Sequence, residues 1–349
     1  QIFFMCALSV YIMKPFFSNK NKLEQLPFDH PLLVQLTKNQ YLEPPSKLPY
    51  NLTLDQNKFY YEHYEQYRFE FAYTYCQEII KELFDLPNHK GFFVEAGALD
   101  GEFLSNSLIL EKEFGWSGLL VEMVPENYHQ LKHKHRHAWT SNCCLATRPG
   151  MHSEILYTFT TKSKNDFVRI SAKARSALLG TLHGEASDGF IPGNREYVPV
   201  TCLPLGTLLM SLNVSHVTLV SLDVEGAEPA VLQHFPWGRI TVDVWIVEHG
   251  FQNVDFFLGD LVHHPEKLYD NLSLTNKTLL NFMDQRGYEV YSVSTHIKTL
   301  NYVFIRRGSE TFRRIYKNQK PQLRSHFMNI TIIDWNKTLE EQNKIKMVF

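Results

Sequence analysis

Between Gly91 and Glu248 short apolar runs alternate with stretches that read as helix, and this alternation constrains the fold more than any other feature. The runs are Phe92-Phe-Val-Glu95, Leu119-Leu-Val-Glu122, Ala138 to Leu145, Val217 to Asp223 and Val242 to Glu248. Helical stretches follow the first run to about Phe114, start again at Tyr128, and span about Pro229 to Phe235. Strands that alternate with helices imply right-handed crossovers and a mainly parallel sheet, so the expected class is a Rossmann-like α/β fold. Tyr288 to Ser294 and Leu300 to Arg306 fit a closing pair of strands. With 44% hydrophobic and 21% charged residues, the composition supports one large packed domain. The net charge of −2 gives no electrostatic case for binding nucleic acid.

Three acidic residues, Glu95, Glu122 and Asp223, fall at strand carboxyl ends, and Glu248 joins them. That edge is where open α/β sheets bind their ligands. The first loop reads Glu95-x-Gly97-Ala98-x-x-Gly101. Its glycines permit close backbone approach and are expected to leave the next helix's N–H groups open to a ligand. A carboxylate in front of the glycines suits a cationic or amino-bearing ligand better than a phosphate. Glu122 follows Gly101 by 21 residues, the spacing at which an acidic side chain binds both hydroxyls of a ribose.

The blocks Phe93-Val-Glu-Ala-Gly-Ala-Leu-Asp-Gly-Glu-Phe-Leu-Ser-Asn106, Gly115-Trp-Ser-Gly-Leu-Leu-Val-Glu122 and Ser221-Leu-Asp-Val-Glu-Gly-Ala-Glu228 together resemble the FkbM-type methyltransferase domain. More narrowly, they resemble the animal subgroup that contains the arthropod protein Star, a single-pass membrane protein of the early secretory pathway. The resemblance covers about residues 76–308. It implies an S-adenosylmethionine-dependent methyltransferase fold and O-methylation of a hydroxyl-bearing small molecule or glycan. By position, Glu95, Gly97, Ala98 and Gly101 would line the methionine part of the cofactor, Glu122 would bind ribose, and Asn142 would lie near adenine. One position departs: many enzymes of the family carry Lys two residues before the fourth-strand Asp, where this chain has Ser221. The Star-like subgroup implies the alternative, a non-catalytic membrane protein that moves secretory cargo between endoplasmic reticulum, Golgi and endosomes.

Methyl transfer to a hydroxyl needs in-line positioning and removal of a proton. Asp223, Glu225 and Glu248 are the candidate catalytic carboxylates, as base or as ligands of a divalent metal that acidifies the hydroxyl. Glu228 before Pro229 is read as complementing a helix dipole, and His249 as structural. The run His129-Gln-Leu-Lys-His133-Lys-His135-Arg-His137 places His129, His133 and His137 near one face if it is helical, and is read as a solvated helix end. Five Cys without CxxC spacing argue against a zinc ribbon or a disulfide framework. Cys143 and Cys144 are expected on the third strand.

Ile2 to Met13 is an uncharged apolar run of twelve residues, shorter than the about 20 that span a bilayer. The chain starts at Gln1, so the run is read as the end of a signal-anchor whose start is missing, or as the apolar part of a signal peptide. A buried core helix is the third reading. Six sequons, at Asn51, Asn213, Asn271, Asn276, Asn329 and Asn336, suggest a lumenal chain carrying N-glycans, anchored in the endoplasmic reticulum, Golgi or endosomal membrane, or else secreted. The expected organisation is an apolar segment at 1–14, a Pro- and aromatic-rich stem at 15–75, the methyltransferase domain at 76–308, and a basic tail at 309–349.

Overall fold

The computed structural model describes residues 23–53, 71–86, 88–160, 176–179, 194–250, 274–296, 299–317 and 324–326. The amino-terminal apolar run and the sequons at Asn271, Asn329 and Asn336 lie outside them. Among the described residues, no helix is long and apolar enough to cross a membrane.

In chain order the helices are α1 (Pro31–Gln40), α2 (Phe71–Phe84), α3 (Leu108–Lys112), α4 (Pro125–His133), α5 (Leu205–Ser211), α6 (Glu228–His234), α7 (Leu274–Gln285) and α8 (Glu310–Tyr316). The strands are β1 (Phe92–Ala96), β2 (Ser117–Val121), β3 (Trp139–Ser141), β4 (Cys144–Leu145), β5 (His152–Thr160), β6 (Ala177–Leu178), β7 (Asn194–Leu203), β8 (His216–Leu222), β9 (Thr241–Gly250), β10 (Tyr288–His296), β11 (Thr299–Arg306) and β12 (Arg324–His326).

The main sheet has eight strands in the order β12-β10-β11-β9-β8-β1-β2-β3. The pairs from β9 through β8, β1 and β2 to β3 are parallel, whereas β11 runs antiparallel to both β9 and β10. Its central strands are apolar on both faces, as a sheet covered by helices requires. Val94, Leu119, Val121 and Val220 pack with α1, α5, α6 and α7. Phe93, Leu120, Leu219 and Val244 pack with α2, α3, α4 and α8. The strand order reverses between β1 and β8, which sets a crevice at their carboxyl ends.

The expected third strand divides in two. Trp139–Ser141 closes the main sheet, and Cys144–Leu145 leaves it for a second, four-stranded sheet of order β4-β7-β5-β6. Asn142 and Cys143 make the step between them. A disulfide joins Cys144 to Cys202, 58 residues on, where β4 and β7 pair in parallel register. One long-range bridge leaves no spacing signature, so the sequence argument against a disulfide framework misses it. Cys76 and Cys143 are buried free thiols.

Residues expected to form a stem and a tail also enter the packed structure. Leu33 of α1 is in the core, and Thr207 and Ser211 of α5 donate hydroxyl protons to the carbonyls of Phe28 and Val34 at 2.7 and 3.0 Å. At the other end, Tyr316 of α8 packs beside α2, and Arg314 binds the Leu83 carbonyl.

Candidate active site

The crevice is built on a close approach of two strand ends. Gly97, at φ +88°, follows β1 so tightly that a Cβ there would lie 1.9 Å from the Asp223 carbonyl oxygen. Only glycine fits, because a side chain meets both a left-handed backbone and a neighbouring backbone. The Asp223 N–H in turn donates to the Ala96 carbonyl at 3.1 Å. The two expected site loops are therefore in contact.

The turn after β1 keeps its backbone donors for itself. Gly97 and Ala98 donate to the Val121 carbonyl at 3.0 and 3.1 Å, and Gly101 to the Ala98 carbonyl at 2.7 Å. Glu102 and Phe103 donate to the Asp100 carboxylate at 2.9 and 2.7 Å. The next helix begins only at Leu108. The helix expected directly after the glycines thus starts seven residues past Gly101, and the long loop between them folds onto Asp100 and Glu95 and makes no phosphate cradle.

Glu95 is the hub of that loop. Its carboxylate accepts from the hydroxyls of Ser105 and Ser107 at 2.7 and 2.6 Å and from the Asn106 N–H at 2.6 Å. Arg136 lies on the same serines at 3.2 and 3.1 Å, binds the Gly101 carbonyl, and pairs with buried Glu111 at 3.1 Å. Burial raises the Glu95 pKa, against the lowering influence of Arg136 and the three donors. Its place is that of a buttress beneath the loop.

Glu122 directly follows β2 and is 3% exposed. Its Oε2 accepts from the Leu99 N–H and its Oε1 from the Val124 N–H, both at 2.8 Å. Asn127 Nδ2 also donates to Oε1, at 3.5 Å, so Oε2 is the oxygen left with a second lone pair for a further donor. Burial pushes its pKa up to about 7, against the hydrogen bonds that favour the anion. Asn142 lies beside it, donating to the Glu122 carbonyl at 2.8 Å.

Asp223 is open to solvent yet surrounded by protein mass, the combination found on the floor of a crevice. Its pKa stands well above the usual carboxylate range, first from that surrounding mass, then from the adjacent Glu248, with which it shares a hydrogen bond. Two carboxyl groups in such contact hold one proton between them. Glu225, at φ 55°, adds charge at the same edge. Glu228 is buried and accepts from the N–H groups of Val224 (2.8 Å) and Gly226 (3.0 Å), fixing the turn that carries Asp223. His249 is buried on β9. Above the edge, burial pushes the Cys76 thiol of α2 up to about 12, with the charge of Glu248 adding to it.

Sequence reasoning had no means of finding two neighbours. Asn106 donates from Nδ2 to the buried hydroxyl of Ser221 at 3.1 Å, so Ser221 is tied to the loop that Glu95 holds. The second sheet is the other. Its core of Leu156, Leu178, Val200 and Cys202 includes Val124 and Ala227, with Met123 and Val224 packed against it. These residues lie within four positions of Glu122 and Asp223, so the small sheet walls the crevice.

The fold and this site define a class, the S-adenosylmethionine-dependent methyltransferases. The model of the FkbM methyltransferase domain matches residues 95–290, more than half of the chain, and the protein belongs to that family. No curated protein matches it. Among solved structures, the chain is similar to a TehB-like S-adenosylmethionine-dependent methyltransferase from Corynebacterium glutamicum, at 11% identity and TM-score 0.31, covering 72% of this chain and 100% of that one. A methyltransferase from Archaeoglobus fulgidus is similar at 9% identity and TM-score 0.33, covering 71% and 100%. An O-methyltransferase family protein from Burkholderia thailandensis is similar at 10% and 0.29, covering 86% and 70%. At this distance the likenesses carry no argument about site or substrate.

The donor set fits the family's cofactor. A ligand bearing a sulfonium and an ammonium would find negative charge at the edge formed by Asp223, Glu225 and Glu248, and a ribose would find the Glu122 carboxylate. Among the described residues, no group of three or more His, Cys, Asp or Glu side chains is placed to hold a metal ion.

Proposed function

We infer that the protein O-methylates a hydroxyl-bearing small molecule or glycan in the lumen of the secretory pathway. The observation that carries the reading is the Asp223–Glu248 carboxyl pair on the crevice floor, against the Gly97 turn. Bound S-adenosylmethionine supplies a methyl group on a positively charged sulfur. Gly97, Ala98 and Gly101 shape the turn beside it, Glu95 holds that turn from beneath, and Glu122 and Asn142 receive the nucleoside. Asp223 and Glu248 take the acceptor's hydroxyl proton, for which the raised pKa of Asp223 makes it a stronger base than an ordinary carboxylate. Glu225 adds negative charge opposite the cation. The small sheet shields the transfer from water on one side.

The lumenal placement is supported by the Cys144–Cys202 disulfide, of a kind that persists in oxidising compartments. Asn51 and Asn213, two of the six sequon asparagines, are exposed. Ser221 favours a second reading, the Star-like one, in which the fold moves secretory cargo without chemistry: its hydroxyl is occupied by Asn106.

Calorimetry with S-adenosylmethionine tests the cofactor, and the absence of binding would favour the cargo reading. Transfer of labelled methyl to a microsomal glycan extract tests the chemistry. Asp223→Asn keeps the size of the side chain but cannot take a proton, so transfer should fall by at least ~10²-fold with the fold intact. Full transfer by this variant would remove Asp223 from the reaction.

A further inference from the structure

We propose that residues Leu42 to Thr53 form a strap whose end, Thr53, is a positioning residue for the loop 97–107; its role in binding rests on the cofactor reading above. The strap begins as an edge partner of β3, where Glu43 and Thr140 exchange two backbone hydrogen bonds at 2.9 and 3.0 Å. It then follows the segment after α4 residue by residue. Ser46 N–H donates to the Arg136 carbonyl and Asn51 N–H to the Lys134 carbonyl, both at 3.0 Å. The histidine-rich run supplies the clasp. His137 Nε2 meets the Leu48 carbonyl and His135 Nδ1 the Pro49 carbonyl, each at 3.0 Å, and the His137 ring stacks on Tyr50 at 4.1 Å.

At its end the strap reaches the loop itself. The N–H and hydroxyl of Thr53 both donate to Glu102 Oε2, at 2.8 and 2.9 Å. Lys134 Nζ donates to the same Thr53 oxygen at 2.7 Å and to Glu102 at 2.6 Å, and lies 3.6 Å from Asp100. Asp100 and Glu102 flank Gly101 in the turn, and Asp100 bears electrostatically on Glu122. The knot of Thr53, Lys134 and Glu102 thus fixes the far side of the turn whose near side rests on Asp223. Thr53 itself is exposed, but the Lys134 and Glu102 side chains it joins are 14% and 6% exposed, and charge-assisted bonds to such groups are the strong kind: losing one leaves its partners unmatched.

The test uses Thr53→Val and Thr53→Ser in the full chain, made in the bacterial periplasm, where disulfides form and loss of the Asn51 sequon is without effect. Hydrogen exchange in peptides spanning 97–107 should quicken about fivefold in the valine variant, with β8 and β9 unchanged, and return to the wild-type rate in the serine variant. Affinity for S-adenosylmethionine should fall by a similar factor in the valine variant alone. Lys134→Met, which cuts the knot from the other side, should reproduce both effects. Unchanged exchange in 97–107 overturns the proposal, as does faster exchange with unaltered affinity. If the wild type binds no S-adenosylmethionine, the cofactor reading falls, and the exchange arm alone decides whether the strap orders the loop.

Discussion

Glu122 concentrates the electrostatics of the site in one side chain. Its pKa is raised from the ordinary glutamate range to about 7 by burial, so the folded state holds a proton that the unfolded state has released. The stability this confers is present at low pH and is lost as pH rises through about 7. Ribose binding has the opposite sign, because the anion accepts both hydroxyl protons. Calorimetric affinity for S-adenosylmethionine should therefore weaken between about pH 8 and about pH 6, and the slope should flatten in Glu122→Gln to whatever the Asp223–Glu248 pair contributes. Glu122→Ala should cost at least about tenfold, from two charge-assisted hydrogen bonds. A folded alanine variant with wild-type affinity would remove Glu122 from the cofactor site. The sequence shows a carboxylate at this spacing but not its burial, which depends on Leu99 and Val124 closing over it. Glu95 teaches the same: its place before the glycines is legible, and its three donors from 105–107 are not.

At the scale of elements, the apolar runs at β1, β2, β8 and β9 were legible because strands buried on both faces are short and continuously apolar. The third run was not, since Ala138 to Leu145 has no Gly or Pro, and Ser141-Asn142 alone is a weak mark of where it changes sheets. The histidine run misleads for a related reason. Its i, i+4 spacing assumes a helix, but α4 ends at His133 and His135 sits at φ 55°, so His137 leaves that face to stack on Tyr50. The strands of the second sheet between Met151 and Leu203 went unread, and the Cys144–Cys202 bridge between β4 and β7 with them. Replacing both cysteines by alanine should lower the unfolding free energy by ~2–4 kcal/mol, measured by denaturant titration. A loss near zero would mean that the apolar core of the small sheet holds it in place unaided.

For the whole molecule, the order β3-β2-β1-β8-β9 follows from crossover handedness once the strands are known, and the crevice follows from that order. The packing of α1 against α5 does not follow, because three prolines after Tyr41 read as a stem rather than as chain wrapped on a domain. Expressed in animal cells, the protein should lose mass on treatment with an N-glycosidase, with Asn51 and Asn213 among the modified positions. Cytosolic fractionation without such a shift would overturn the lumenal assignment. The small sheet has a consequence of its own. It departs from the main sheet at Cys144 and returns at Cys202, and those Cα atoms lie 4.3 Å apart. An excursion that starts and finishes at one point can change in length and shape beyond its contacts with Val124 and Ala227 while the cofactor half stays fixed. Relatives with different acceptors should differ between these two cysteines first, and grafting that stretch from one to another should carry the acceptor preference with it.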